Sequence, residues 1–179
     1  MSAVARAFIG IGSNIDPEKN IRQALRQLAQ AARLTAISTF YREPAIERPG
    51  EPAFYNGVVA IETGLPPMRL KQDVLRRIEA DLGRRRSSDK YASRLIDLDL
   101  FLYDDCVLSN NQLILPDPDI LERAFVAIPL CELAPDLLLP GSGLPIGRVA
   151  ERFAVEDMEC LQEYTRLLRN ELLTPAPGQ

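Results

Sequence analysis

Two aspartates one residue apart, Asp97 and Asp99, stand inside the apolar run 94–103 (RLIDLDLFLY). Side chains of a strand alternate between faces, so residues i and i+2 point the same way. Both carboxylates therefore share a face, among neighbours Leu95, Ile96, Leu98, Leu100 and Phe101 that belong in a core. Ionised carboxylates in apolar surroundings are costly unless paired or bound to metal. Two carboxylates on one face suit a pair of divalent cations about 3.5–4 Å apart, the spacing of two-metal phosphoryl chemistry. The plainer alternative is a solvated acidic face on an edge strand, or ion pairs with nearby arginines.

Directly upstream, Arg84, Arg85, Arg86, Lys90 and Arg94 place 5 of the chain's 21 cations within 11 residues. Guanidinium forks match phosphate oxygens, and a loop can close them over a polyphosphate. Taken alone, such a run is usually a solvated loop; beside the aspartates, it asks for a metal-bound polyphosphate. A third group is Phe54, Tyr55 and Asn56 with the later Phe125. A planar heterocycle would stack on the rings while Asn56 gives paired donor and acceptor contacts. Ordinary core packing is the alternative for any one ring. The turn GIGSN at 10–14 lacks the lysine of a P-loop and the third glycine of a dinucleotide fingerprint, so its glycines read as close packing.

Composition narrows the chemistry. The 179 residues include 21 Lys plus Arg, 25 Asp plus Glu and no histidine, for a formal net charge of −4. The missing histidine excludes Ser-His-Asp and Cys-His catalysis, imidazole proton shuttles and histidine zinc sites. A metal must be held mainly by carboxylates, which suits a hard cation such as Mg²⁺. The acidic balance argues against general nucleic-acid binding. Cys106, Cys131 and Cys160 are odd in number and form no CxxC pair, so a reducing compartment is expected. With 46% hydrophobic and 26% charged residues, no signal-peptide core and no apolar run near a membrane span, a soluble cytoplasmic protein is expected.

Several elements must position these groups. Residues 5–12 read as a strand, and Asp16 as N-cap with Pro17 opens a helix to about 32, with Ile21, Leu25, Leu28 and Ala32 on one face. A second strand over 34–41, a loop over 43–52 and a third strand over 54–63 follow. Pro66-Pro67 opens a second helix striped by Leu70, Val74, Ile78 and Leu82 and closed at Gly83. The basic loop 84–93 leads to a fourth strand over 94–103. The order βαββαβ predicts an α+β fold, a ferredoxin-like antiparallel sheet with helices on one face, plus a C-terminal extension. In that extension 112–115 reads as a short strand, 119–134 as a helix interrupted at Pro129, and 146–153 as another helix. Residues 156–170 read as a helix, with 160–164 also able to pair as a strand. One domain over 1–172 and a disordered tail over 173–179 are expected.

Placed in this order, the segments resemble the 6-hydroxymethyl-7,8-dihydropterin pyrophosphokinase family of folate biosynthesis. The resemblance runs from residue 8 to about 140 through FIGIGSN (8–14), FYREP (40–44), FYNGVVAIET (54–63), RIEADLGRRR (77–86), SRLIDLDLFLY (93–103) and LILPDPDILERAFVAIPL (113–130). The motif Arg-x-x-Asp-x-Asp of Arg94, Asp97 and Asp99, in its strand context, is highly specific. The resemblance implies transfer of pyrophosphate from ATP to a hydroxymethyl-dihydropterin, with AMP released. It implies two Mg²⁺ ions on Asp97 and Asp99, and Arg84 and Arg94 as catalytic arginines. The pterin would meet Glu43, Pro44, Ile46, Phe54, Asn56, Tyr91 and Phe125. The nucleotide would meet Glu79, Arg86, Lys90, Asp117 and Arg123. A monomer that binds neither membrane nor nucleic acid is expected.

Three departures carry consequences. Tyr91-Ala92-Ser93-Arg94 stands where the family has Trp-Gly-Pro-Arg, Asp117 stands where it has histidine, and Glu43 replaces a small polar residue. Asp117 puts an anion where a nucleotide phosphate is expected, so weaker ATP binding or another partner follows. A relative acting on a modified pterin, or a pterin- or nucleotide-binding paralogue without turnover, are the alternatives left open.

Overall fold

The computed structural model describes residues 4–44, 50–84 and 94–173. The elements begin with β1 (Ala5–Ser13), α1 (Pro17–Ala31), β2 (Arg33–Ile37), β3 (Tyr41–Glu43) and β4 (Phe54–Thr63). A helix in three pieces follows: α2 (Pro67–Arg69), a π-helical segment (Leu70–Leu75) and α3 (Arg76–Asp81). Then come β5 (Asp97–Tyr103), the pair β6 (Leu108–Ser109) and β7 (Ile114–Leu115), and α4 (Asp119–Glu122). The chain continues through α5 (Ala124–Leu133), α6 (Ile146–Ala150), β8 (Glu159–Cys160) and α7 (Gln162–Leu172).

The main sheet is antiparallel in the order β5-β1-β4-β3-β8, with β2 also paired to β4. Its period-2 pattern separates two cores. Ala7, Ile9, Ile11, Val59, Ile61, Leu98 and Leu100 face Ile21, Leu25 and Leu28 of α1, Leu75 and Ile78 of the second helix, and Tyr164 and Leu168 of α7. Phe8, Val58, Ala60, Phe101 and Leu102 face Ile120, Val126, Ala127, Leu130, Ile146 and Val149 from α4, α5 and α6. Helices therefore cover both faces, whereas the βαββαβ pattern alone placed them on one. Among the described residues no helix is long and apolar enough to cross a membrane.

Several boundaries differ from the sequence pattern, each for a physical reason. The fourth strand begins at Asp97 rather than residue 94, because the carbonyls of Arg94 and Leu95 accept from Asn14 N (3.1 Å) and Ser13 Oγ (2.6 Å) instead of joining the ladder. Asp16 sits at the start of α1 in the left-handed region (φ 40°) and makes no side-chain cap. Asn20 takes up the turn instead, its Nδ2 donating to Ile15 O at 2.6 Å. The π-helical segment lets Val74 and Leu75 both turn inward, so the buried stripe has adjacent members that 3.6-residue spacing does not give. Pro129 lies inside α5, and the helical break falls at Arg123, whose backbone is extended.

The strand expected over 34–41 is broken into β2 and β3. Ile37 pairs with Val59 and Tyr41 with Asn56, so four steps on one strand oppose three on the other, a bulge. It seats Phe40 over Gly57, where a Cβ would lie 2.8 Å from the ring. The broken ladder has its groups satisfied elsewhere. Val58 N donates to Ser38 Oγ at 2.9 Å, Thr39 N to the Glu132 carboxylate at 3.0 Å, and Phe40 N to Thr165 Oγ1 at 2.9 Å. Leu161 N donates to Phe40 O at 2.8 Å and Arg169 Nε to Ile37 O at 2.8 Å. The α7 segment thus braces the strand that leads to Glu43.

Removing one of those acceptors leaves a buried N–H without a partner, at a cost of about 1–3 kcal/mol. Thr165→Val, nearly isosteric, should lower unfolding stability by that amount in a urea titration, and Thr165→Ser should restore most of it. Equal stability of all three proteins would contradict the brace.

Candidate functional site

The second face of the sheet is open at the end where Asp97 and Asp99 leave β5. Gly12 pairs with Asp97 on one side and Asn56 on the other, and Gly10 pairs with Asp99 and Val58. Strands lie about 4.8 Å apart, so Asp97 and Asn56 stand roughly 10 Å apart across a central strand that lacks side chains there. Each glycine also serves close packing, as expected. A Cβ on Gly10 would lie 2.3 Å from the Phe101 ring, and one on Gly12 2.7 Å from Asn56 Oδ1.

Asp97 is the hub. Arg84 Nη1 donates to its Oδ1 at 2.5 Å, and Arg94 donates to its Oδ2. Arg84 also pairs with Glu79, a residue only 5% exposed, whose Oε1 accepts from Leu98 N at 2.8 Å. Burial pushes the Glu79 carboxyl above its ordinary range, with the Leu98 N–H and Arg84 opposing. Burial weakens the Arg84 charge, but the carboxylates of Asp97 and Glu79 outweigh it and raise the guanidinium pKa. Asp99 is surrounded by protein on its inner side while water still reaches it. That crowding, then the charges of Asp97, Asp117 and Glu79, push its pKa up to about 7, against a pull from Arg84. A cation would relieve this crowd of oxygens. Among the described residues no three His, Cys, Asp or Glu side chains form a metal cage by themselves.

Opposite the aspartates, Asn56 Nδ2 donates to Glu43 Oε2 at 3.0 Å. Burial raises the Glu43 pKa, while the Asn56 amide and the Arg123 charge oppose the rise. Glu43 pairs in register with Phe54, which is half-buried and belongs to neither core cluster. Pro44 follows, exposed. Phe125 opens α5 and rests, half-buried, on the second core. Arg123 lies at the α4–α5 break, 3.9 Å from the Asp119 carboxylate. Asp117 Oδ1 accepts from Asp119 N at 2.9 Å, an Asx turn that starts α4, and Lys71 lies close enough to oppose its burial-raised pKa.

The fold thus brings Glu79, Arg84, Arg94, Asp97, Asp99 and Asp117 into one acidic and guanidinium cluster, with Glu43, Phe54, Asn56, Arg123 and Phe125 across the glycine floor. Ile46, Arg86, Lys90 and Tyr91 lie outside the described residues. Ser13 and Asn14 were missed as site builders. Asn14 Oδ1 accepts from Arg94 N at 2.7 Å and its Nδ2 donates to Pro52 O at 3.2 Å, tying both site loops to the end of β1. The available signal was two polar residues directly after the apolar run 7–12; both are buried, at 0% and 2% exposure.

Comparison with known proteins bears on this geometry. Residues 8–135 match the family model described as 7,8-dihydro-6-hydroxymethylpterin-pyrophosphokinase (HPPK). A 2-amino-4-hydroxy-6-hydroxymethyldihydropteridine pyrophosphokinase of Haemophilus influenzae is 36% identical over 155 residues, 85% of this chain and 95% of its own. One from Methylorubrum extorquens is 40% identical over 141 residues, 77% of this chain and 88% of its own. Among solved structures, Plasmodium falciparum HPPK-DHPS with SDX-DHP superposes with a TM-score of 0.66 at 13% identity. That match covers 85% of this chain and 46% of the longer parasite chain, and speaks to the fold alone.

The charge crowd at Asp99 makes a direct prediction. Asp117→Asn keeps an oxygen for the Asx turn and removes one negative charge. The Asp99 pKa, read by carbon-detected NMR, should sit near 7 in the unaltered protein and fall in Asp117→Asn; an unchanged value would show that the two carboxyls do not interact.

Proposed function

The chain belongs to the 7,8-dihydro-6-hydroxymethylpterin-pyrophosphokinase family, and from that premise we propose that it transfers pyrophosphate from ATP to 6-hydroxymethyl-7,8-dihydropterin. In this reaction the hydroxymethyl oxygen of the pterin bonds to the β-phosphorus of ATP. The bond from that phosphorus to the α–β bridging oxygen breaks, AMP leaves, and the hydroxyl proton is lost. The carrying observation is the convergence of Arg84 and Arg94 on Asp97, beside Asp99 and across a glycine floor from Asn56.

Asp97 and Asp99 are the residues that would hold Mg²⁺; hard carboxylate oxygens and the raised pKa of Asp99 fit such an ion. When bound, Mg²⁺ would supply positive charge to the phosphate oxygens and acidify the attacking hydroxyl. Arg84 and Arg94 then have two tasks. They hold Asp97, and their guanidinium forks would neutralise charge on the transferred group of a bound polyphosphate. Phe54 and Phe125 would stack the pterin ring, and Asn56 would orient its edge. Glu79, Arg86, Lys90, Asp117 and Arg123 would meet the nucleotide, and Pro44, Ile46 and Tyr91 the pterin. The strand order, with β2 and β3 taken as one interrupted strand, supports a ferredoxin-like core within one domain over 1–172. We read the protein as a cytoplasmic monomer.

Incubation with ATP, Mg²⁺ and the dihydropterin should release AMP, and Asp97→Ala should lower the rate by about 10³-fold. Pterin binding without AMP at any ATP concentration would contradict the reading. The pH dependence has a defined sign. A carboxyl whose pKa is raised to about 7 is protonated below that pH. At limiting Mg²⁺ the rate should therefore fall as pH drops through about 7, and excess Mg²⁺ should move the fall to lower pH. A fall that Mg²⁺ does not move would exclude Asp99 as its origin.

A further inference from the structure

We propose that Glu43 determines ring specificity, locking the Asn56 amide with one carboxylate oxygen and offering the other to adjacent N–H donors of a 2-amino-4-oxo heterocycle. The inference rests on the pterin reading above and adds a residue chemistry that family resemblance does not supply, since the family carries a small polar residue at this position.

The lock is forced by donor and acceptor chemistry. A carboxylate only accepts, so the group that meets Glu43 Oε2 at 3.0 Å must be the Asn56 NH₂. Asn56 Oδ1 then lies toward β1, at the spot a Cβ on Gly12 would contest at 2.7 Å. The amide spans the floor from β3 to β1, and one of its two N–H groups is already spent. Paired donor and acceptor contacts, expected of Asn56 from sequence, become mainly an acceptor contact on the β1 side.

Glu43 Oε1 is the unspent acceptor. Among the described residues it has no hydrogen bond, and no cation pairs with Glu43 within 4.0 Å; Arg123 acts on it only at longer range. Glu43 is half-buried beside the Phe54 ring, with which it is in cross-strand register. A half-buried carboxylate with one open oxygen is repaid best by a ligand that brings two neighbouring N–H donors in the ring plane. The exocyclic amine and ring N–H of a 2-amino-4-oxo ring are such a pair. A 2,4-dioxo ring replaces the amine by an acceptor and sets oxygen against oxygen.

The test compares 6-hydroxymethylpterin with its 2-oxo analogue, 6-hydroxymethyllumazine, as ligands of the unaltered protein, Glu43→Gln and Glu43→Thr, by fluorescence titration. The unaltered protein should favour the 2-amino ring by about 30-fold or more, because the analogue leaves a buried acceptor unpaired. In Glu43→Gln, whose carboxamide can rotate to present N–H to the oxo group, the preference should shrink to about 3-fold, with KM for ATP unchanged. Glu43→Thr should bind both rings more weakly and lose the preference as well. Equal preference in all three proteins, or none in the unaltered one, would overturn the role of Glu43. Turnover of the dihydropterin alongside that result would leave the pyrophosphokinase reading standing; failure of the unaltered protein to bind either ring would remove both.

Discussion

Asp97 can lie beside Asp99 and Glu79 because two guanidiniums share its carboxylate. Arg84 spans Asp97 and Glu79, Arg94 takes the second oxygen of Asp97, and the amide of Leu98 takes an oxygen of Glu79. The pairs are half-buried or deeper, with Glu79 and Asp97 side chains 6% and 14% exposed, so solvent screening dissipates little of the interaction. Deleting one guanidinium would strand a buried anion. The arrangement also sets up an exchange: the same arginines that neutralise Asp97 are the groups a polyphosphate would draw away, leaving the carboxylate to a cation that arrives with it. Among the described residues Asp99 is held by no such pair, and its pKa is pushed up to about 7.

Much of this was legible in the residues. β4 spans the expected 54–63 because it is a continuous β-branched and aromatic run buried on both faces, and Asp97 and Asp99 share a face because β5 is regular at its start. Local pattern carries that information. The rest depends on contacts distant in sequence, which periodicity does not encode. The break between β2 and β3 exists because Phe40 must seat over Gly57, and it is stabilised by Glu132, Leu161, Thr165 and Arg169, about 90 to 130 residues away. The pairing of Glu43 with Asn56 likewise needs the β3–β4 register. Asn14 looked like part of a turn, and only its reach across 80 residues to Arg94 makes it a site builder.

The C-terminal part beyond residue 135, outside the family match, is tied into the same design. β8 extends the sheet along β3, α7 packs into the first core, and their backbone and side chains satisfy the strand break that precedes Glu43. The site thus has two supports. The aspartate side is fixed by Asn14 and Ser13 at the end of β1 and by Glu79. The opposite wall is fixed from the C-terminal segment. Asp117 accepts the Asp119 amide at the start of α4 and adds charge to the crowd that raises Asp99.

Arg84 and Arg94 hold Asp97, and under the proposed function a nucleotide would draw them off; cation binding reports that exchange most directly. Mn²⁺ binding measured by electron paramagnetic resonance should be weak to the protein alone and at least about tenfold tighter with a non-hydrolysable ATP analogue than to the analogue and protein separately. In Arg94→Met, binding to the protein alone should strengthen, because a competitor for Asp97 is gone. Tight Mn²⁺ binding without nucleotide, unchanged in Arg94→Met, would contradict the account.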